Sequence, residues 1–487
     1  MRGAARRRRS GIGVVVLLVA LCLAVWYATD DALAPLGLAV LWAVWSFLPT
    51  GEAPPVLALA LTFQWLQVTL GVYYHGLTGR PLLSVDQSDY RPMVFIGLGC
   101  VVALGIGLAL GNRWLSRSLS ARRGPRVDLP VTFRTLAVAY VVTTAANGAV
   151  RQAAWLVPGL TQGILAMSFL RLGLLFLLFR RLCRPVFQTK WIALLLGVEV
   201  VFGFTGFFAG FREPLMMAAL AFIEIFDRRR SRHWLAAAAL ATVMAASGVL
   251  WMGIRTAYRQ DFEIDGFADS SPSRLSRVGS LSSEWLGQDL DGVLADVDLL
   301  VERVWAVYYP ALALQRVPAV LPHEDGAILL AAVRHLVTPR LFFPEKAPLL
   351  SDSEMVRKYS GLWVAGEEEG TSIAFGYAVE SYVDFGLPWM FLPVLAYGLL
   401  MGMAYPALLH VIRHRDLATA LVAVVFWLSL FLFERSWVKT LGLSVTLLVF
   451  LGSLAFVLDR ILLRRRPTYG KAPIGSRRDL ATGARRS

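Results

Sequence analysis

The stretch 92–111 reads PMVFIGLGCVVALGIGLALG and contains no charged residue. A helix needs about 20 mainly apolar residues to cross the hydrocarbon core of a bilayer, so this stretch predicts a transmembrane helix. The whole chain of 487 residues is also rich in apolar residues, with 56% hydrophobic residues, 17% charged residues and a mean hydropathy of +0.58. This composition excludes a water-soluble enzyme, a disordered chain and a disulfide scaffold, and it indicates an all-α polytopic membrane protein.

Further apolar stretches lie on both sides of this one. No small-residue cleavage site follows the first, and Trp26 and Tyr27 at its end suit a membrane interface, so we expect a helix there and not a signal peptide. The stretches together predict about twelve transmembrane helices, near 11–28, 32–49, 54–74, 92–111, 131–150, 162–180, 191–210, 213–227, 234–253, 386–410, 417–434 and 440–459.

The basic residues between these stretches predict the orientation. With the N-terminus in the cytoplasm, the cytoplasmic segments hold 29 Lys and Arg residues and the short outer loops hold 6. Such an excess on one side is the usual signature of membrane topology, and it explains the formal net charge of +14 without a nucleic acid partner. We therefore expect both termini in the cytoplasm of the cell and a multi-pass membrane protein.

Four parts follow from this reading. Residues 1–253 carry the first nine predicted helices, 254–385 form one large extracytoplasmic loop, 386–459 carry the last three helices, and 460–487 form a basic cytoplasmic tail. The large loop holds 20 of the 34 acidic residues and only 11 basic ones.

The large loop has its own internal pattern. Residues 261–292 are rich in Asp, Ser and Gly and predict irregular structure. Residues 293–317 alternate apolar and charged positions as an amphipathic helix does, and 326–337 predict a second helix.

Two charged residues fall near the midpoints of the sixth and seventh predicted helices. Arg171 and Glu199 lie at similar depth from the loop that joins these helices. An isolated charge inside a membrane is costly, so we expect the two to pair. The pair could serve a proton or substrate relay, or simply lock two neighbouring helices together.

Three arginines lie at predicted outer helix ends, where basic residues are scarce. Arg212 follows a tight turn, and Arg255 and Arg259 share one face at the end of the ninth helix. Guanidinium groups pair bidentately with phosphate oxygens, so these residues are candidate pyrophosphate ligands; the alternative is anchoring at the membrane interface.

Acidic pairs in the outer segments have a further possible meaning. Their Asp-x-Asp spacing occurs in metal-dependent sugar transferases, but a solvated acidic face is the favoured interpretation in so acidic a loop. We expect no metal site and no cofactor. The residues concerned are Asp289, Asp291, Asp296 and Asp298 in the large loop, with Asp30 and Asp31 adjacent to one another in the first outer loop.

The stretch 338–386 gathers charges at the entrance to the tenth predicted helix. It reads TPRLFFPEKAP from Thr338, then GTS, then ESYVDFG from Glu380, and the helix follows directly. Prolines hold the first segment in a fixed shape around Arg340 and Lys346. The stretch therefore offers a carboxylate and cations at the outer mouth of a helix bundle; the alternative is a rigid, solvated loop.

These three segments, in this order and position, resemble the O-antigen polymerase group, the oligosaccharide repeat-unit polymerases (Wzy-like). The resemblance covers about residues 320–400 and extends loosely to the Gly-Phe-Arg-Glu turn before the eighth helix. It implies a GT-C-like bundle and transfer of a growing glycan from a polyprenyl pyrophosphate carrier to a lipid-linked repeat unit. It also implies a multi-pass protein of the bacterial plasma (inner) membrane that acts at the outer face.

The implied reaction assigns roles to residues. The pyrophosphate leaving group needs cations, and the candidates are Arg212, Arg255, Arg259, Arg340 and Lys346. The acceptor hydroxyl needs a general base, for which Glu380 is the first choice and His335 the second. Expected partners are polyprenyl-pyrophosphate-linked glycans and membrane lipids, with a chain-length regulator and a flippase as further candidates.

Other functions remain open at this point. One is an O-antigen ligase, and another is a GT-C glycosyltransferase that takes single sugars from a lipid phosphate. A lipid-linked oligosaccharide flippase is disfavoured because the chain has one large outer segment and no visible internal repeat. A structural subunit of an export assembly is the fourth alternative.

Overall fold

The structure is a computed structural model. It describes residues 2–464 apart from 49–53, 121–125, 157–158, 185–187, 207–209, 265–270, 341, 344, 367 and 369–370. Most of the predicted basic tail therefore lies outside the described residues, as do Leu341, Pro344 and Gly370 of the 338–386 stretch. The regular structure of the described part is helical, with one isolated bridge between Val127 and His414.

The helices follow one another with short connections. Their bounds are α1 Arg2–Thr29, α2 Leu33–Phe47, α3 Val56–Thr78, α4 Leu83–Gln87, α5 Arg91–Ser120, α6 Phe133–Leu156, α7 Thr161–Ser168, α8 Leu170–Leu182, α9 Thr189–Gly203, α10 Arg212–Ile223, α11 Ser231–Ile264, α12 Ser271–Leu286, α13 Leu290–Val304, α14 Tyr308–Arg316, α15 Ala327–Val337, α16 Asp352–Ser360, α17 Tyr377–Phe385, α18 Phe391–Val411, α19 Arg415–Leu430, α20 Trp437–Thr446 and α21 Gly452–Arg464, with a π-helical segment Leu447–Leu451 between the last two.

Six helical segments of the described chain are long and apolar enough to cross a membrane. The other predicted stretches also form helices (α1, α2, α6, α9, α10 and α19), but these fall short in length or hydropathy. The structure therefore supports a membrane protein, while twelve spans and a GT-C fold stay predictions. The six segments are Val56–Thr78, Arg91–Leu119, Thr161–Leu182, Ser231–Gln260, Phe391–Val411 and Trp437–Arg464.

The large predicted loop is mostly helical. Residues 271–286 form α12, so the prediction of irregular structure over 261–292 was wrong there. The predicted helix 293–317 is interrupted between α13 and α14. Trp305 causes the break, because its ring inserts against Gly71 of α3 and its Nε1 donates to the Val68 carbonyl at 2.9 Å. The predicted helix 326–337 is confirmed as α15.

The entrance to the tenth predicted helix also differs from expectation. Glu380 lies within a helix of its own, α17, and α18 begins only at Phe391. Gly376 precedes α17 with φ of +91°, and a Cβ atom there would lie 2.3 Å from the Phe433 carbonyl oxygen. Only glycine fits this close approach, which seats α17 against the loop that follows α19.

Two features define the centre of the bundle. Every residue of α19 from Ala418 to Leu430 is buried, as expected of a helix that is apolar on all sides. Beside it, α5 and α18 pack backbone against backbone through glycines. A Cβ atom at Gly111 would lie 2.2 Å from the Leu399 carbonyl oxygen, and one at Gly402 would lie 2.4 Å from that of Leu108. Small residues at such positions let membrane helices approach closely.

Candidate functional site

A groove opens beside α15 and the loop that follows it. Its volume is about 860 Å³. One face of α15 lines the groove, while α17 and α20 pack against the helix elsewhere. The lining residues are Ala327, Leu330, Ala331, Arg334, His335, Thr338, Phe342, Phe343, Glu345, Lys346, Ala347, Pro348 and Leu349.

The groove combines cations with exposed apolar side chains. Leu330 is 68% exposed and Phe342 is 73% exposed, so the walls present apolar surface to the outside. Arg334, on the α15 face that lines the groove, is also exposed. A surface of this kind suits an amphiphile that carries both a hydrocarbon chain and a negative charge.

His335 and Lys346 meet at the C-terminal end of α15. The Lys346 ammonium donates to the His335 carbonyl and, at 2.8 Å, to the Thr338 carbonyl. It thus stabilises the negative end of the helix dipole and keeps one N–H for another acceptor. Burial, followed by the Lys346 and Arg340 charges, lowers the pKa of His335. The imidazole is therefore neutral at neutral pH and able to accept a proton.

Arg340 lies close to this pair without joining the groove lining. Burial is the largest cause of the lowered pKa values of both His335 and Lys346, and the Arg340 charge adds to it; the Arg340 side chain is exposed. The structure therefore brings together three of the residues singled out from the sequence.

Glu380 lies elsewhere. It is only 4% exposed, and its Oε2 accepts a hydrogen bond from the Trp437 backbone N–H at 2.7 Å. Burial raises the pKa of Glu380 to about 8, with the Trp437 hydrogen bond partly opposing the rise. The side chain is absent from the groove lining and is mostly protonated at neutral pH. This geometry suits a residue that positions the start of α20 better than a base in contact with substrate.

The loop 431–436 between α19 and α20, named the arginine loop below, is held from two sides. On one side, Gln67 of α3 donates to the Phe431 carbonyl at 2.7 Å and accepts from the Phe433 N–H at 3.1 Å. On the other, the Tyr377 N–H donates to the Arg435 carbonyl at 2.7 Å. Gln64 joins the two sides, since its side chain bonds both the Leu430 carbonyl and the Tyr377 hydroxyl.

Two arginines share one aromatic ring of this loop. The Arg212 guanidinium lies 4.6 Å from the centre of the Phe431 ring, and that of Arg435 lies 5.4 Å from it. Arg212 is paired with Glu213 at 2.9 Å. Arg435 is half-buried and donates to the Leu428 carbonyl at 2.6 Å.

The other two predicted phosphate ligands belong to a neighbouring group on α11. Arg255 lies one turn before Arg259, and both are half-buried. Arg303 lies close enough to Arg255 for the two positive charges to repel each other. Arg303 is also paired with Glu434 of the arginine loop at 2.8 Å. The outer arginines thus gather around α11 and the arginine loop, whereas Arg340 and Lys346 lie at the groove.

The predicted pairing of Arg171 and Glu199 is confirmed, with Nη1 and Oε2 3.3 Å apart. Asp289, Asp296 and Asp298 of the acidic pairs have structural partners. Asp289 caps α13, Asp296 accepts from the Trp285 ring N–H at 2.7 Å, and Asp298 pairs with Arg80. Among the described residues, no group of three or more His, Cys, Asp or Glu side chains could hold a metal ion.

Asp31 also has structural contacts. Its side chain accepts from the Leu33 N–H at 2.9 Å and from the Tyr90 hydroxyl at 3.2 Å. It therefore fixes the turn between α1 and α2, while Asp30 takes the left-handed conformation there with φ of 50°.

No family model, curated protein or solved structure matches this chain. The site is therefore argued from its own residues. Sequence reasoning missed Gln64, Gln67, Tyr377 and Arg435. A signal for the glutamines was present, because two amides three residues apart inside an apolar span need internal partners.

Proposed function

We propose that the chain is a glycosyltransferase that joins lipid-linked oligosaccharide repeat units into a polysaccharide at the outer face of the bacterial plasma membrane. The groove beside α15 carries this proposal. It offers exposed apolar walls for a polyprenyl chain, with Lys346 and Arg334 in its lining and Arg340 nearby as cations for a pyrophosphate. The resemblance of the 338–386 stretch to repeat-unit polymerases supports the same reaction class.

The chemistry is a single displacement at a sugar. The acceptor hydroxyl attacks the anomeric carbon of the donor glycan, a new C–O bond forms, and the bond from that carbon to the pyrophosphate oxygen breaks. The electron pair leaves with the pyrophosphate, and cations lower the energy of that developing charge. The hydroxyl proton passes to a base.

His335 suits the role of base better than Glu380 does. His335 lines the groove and is neutral, because burial and two nearby cations lower its pKa. General bases act within hydrogen-bond reach of the proton that they remove, which a buried Glu380 bound to Trp437 does not provide. We therefore assign proton transfer to His335 and a positioning role to Glu380.

The test is the glycan profile of a deletion strain complemented with variants. His335→Gln should leave single repeat units and remove longer polymer, at unchanged protein level. His410→Gln, in the last turn of α18 and outside the groove lining, is the matched control and should give wild-type polymer. Wild-type polymer from His335→Gln would contradict its role as base. Full-length polymer that fails to reach its final lipid acceptor would indicate a ligase instead.

A further inference from the structure

The arginine loop and the start of α10 lie side by side, because Arg212 contacts the Phe431 ring. Arg180 pairs with Glu224, at the end of α10, at 2.7 Å and also with Asp416 in the first turn of α19. The C-terminal end of α10 and the first turn of α19 therefore lie at one level, which the sequence predicts to be cytoplasmic. At 1.5 Å per residue, the 12 residues of α10 rise about 18 Å and the 16 of α19 about 24 Å. Both rises are shorter than the thickness of a hydrocarbon core, about 30 Å, so with the shared level at its inner surface we expect Arg212 and the arginine loop below its outer surface.

Charged groups at this depth face a water-filled cavity or an internal partner. The carboxylates that act on Arg435 through space, Glu213 and Glu434, each already have an arginine partner, and the nearby Glu380 is bonded to the Trp437 N–H and mostly protonated. Glu199 pairs with Arg171, Glu213 with Arg212 and Glu434 with Arg303, whereas no carboxylate of the described chain lies within ion-pair distance of Arg435. The pairs are documented by N–O distances of 3.3, 2.9 and 2.8 Å.

Positive potential is reinforced by α10. This helix begins at Arg212, and its N-cap residue Phe211 supplies no side-chain hydrogen bond. The first N–H groups of α10 thus add the positive end of a helix dipole to the two guanidiniums around Phe431. The side chains of Gln64 and Gln67 and the Tyr377 N–H hold the loop in this arrangement before any ligand arrives.

We propose that Arg435, Arg212 and the start of α10 form a second anion site, separate from the groove, that binds a phosphate or pyrophosphate group. This inference rests on the proposed function in one respect, namely that the phosphate is expected to belong to a polyprenyl carrier. The site itself is inferred from the positive charge of Arg435, which no carboxylate of the described chain balances at ion-pair distance. If both lipid-linked substrates of a polymerase are held at once, one carrier occupies the groove and the other occupies this site.

Binding measurements on the purified full-length protein in lipid nanodiscs test this site. The probes are undecaprenyl phosphate, added to the nanodisc lipid, and inorganic pyrophosphate, added to the buffer. Arg435→Gln and Arg212→Gln should each weaken binding at one site by about tenfold or more, the effect of losing a charge-assisted contact. Arg91→Gln, which removes an exposed outer arginine, is the matched control and should bind as wild type.

The outcomes separate this site from the groove. Arg340→Gln should weaken groove binding and leave the Arg435-dependent component unchanged. Tighter binding of undecaprenyl phosphate than of pyrophosphate identifies a lipid headgroup as the ligand, and the reverse identifies a free anion. Unchanged binding by folded Arg435→Gln overturns the proposal; should that variant fail to fold, unchanged binding by Arg212→Gln does so. If Arg435-dependent binding is intact but the wild-type protein makes no polymer, the proposed function is contradicted and the second anion site is not.

Discussion

Replacing Glu380 by glutamine separates a positioning role from a catalytic one. At neutral pH the buried carboxyl is mostly protonated, since its pKa is raised to about 8. Glutamine has the same shape, is neutral, and keeps an oxygen that accepts from the Trp437 N–H. We therefore expect Glu380→Gln to fold, to hold the arginine loop and to make polymer. A base in contact with substrate would give the opposite result, a folded protein without polymer.

The size of the effect on stability follows from the pKa. A rise from 4.5 to about 8 means that ionising Glu380 is about 5 kcal/mol less favourable in the fold than in water. The folded protein keeps the proton that the unfolded chain has lost, so stability is greatest below pH 4.5. It then falls by about 1.4 kcal/mol per pH unit until the folded group ionises. Between about pH 5 and pH 7.5 this group alone lowers stability by roughly 3 kcal/mol.

Thermal unfolding, followed by intrinsic tryptophan fluorescence in detergent, measures this slope. Wild type should lose stability relative to Glu380→Gln as the pH rises through that range, because glutamine cannot ionise. Glu380→Ala is the contrasting variant. It leaves the buried Trp437 N–H without a partner, which costs about 1–3 kcal/mol at any pH. Parallel pH profiles for wild type and Glu380→Gln would refute the raised pKa.

Three further predictions concern other parts of the chain. Glu199→Gln should lower expression by leaving Arg171 unpaired in the membrane, a loss of about 3–5 kcal/mol, and a double neutral variant should recover expression; equal loss in single and double variants would refute the pairing. Cysteine at position 280 should react with an impermeant reagent in intact spheroplasts and cysteine at 120 should not, so the reverse pattern would invert the topology. Arg340→Lys keeps the charge but loses the guanidinium fork, and should shorten the polymer visible on a gel.

The sequence predicted two kinds of feature well: helices, from the apolar stretches, and charge pairing, from the free-energy cost of burying an isolated charge. Over the described residues, each of the twelve apolar stretches overlaps a helix, because backbone groups in apolar segments must bond internally. The contact between Arg171 and Glu199 followed from the cost of an isolated charge in a membrane. The cluster of His335, Arg340 and Lys346 followed from their nearness along the chain.

Long-range packing explains what the sequence did not show. The break before α14 depends on Trp305 reaching α3, and the burial of Glu380 depends on α20, which follows much later in the chain. Neither contact can be predicted from the residues that neighbour Trp305 or Glu380 in the sequence. The local pattern also does not show that Arg212 meets the Phe431 ring of the loop after α19.

The glycine contacts between α5 and α18 also bear on how the protein is made. Five predicted spans and the whole 254–385 segment are synthesised between Gly111 and Gly402. The glycine face of α5 therefore enters the bilayer while its partner does not yet exist, and lipid or an insertion factor must cover it in the interval. A ribosome that stalls before residue 386 leaves a chain whose first helices are inserted but whose central contact is missing. We expect such a chain to be degraded by membrane proteases, because the close backbone contact between α5 and α18 cannot form in it.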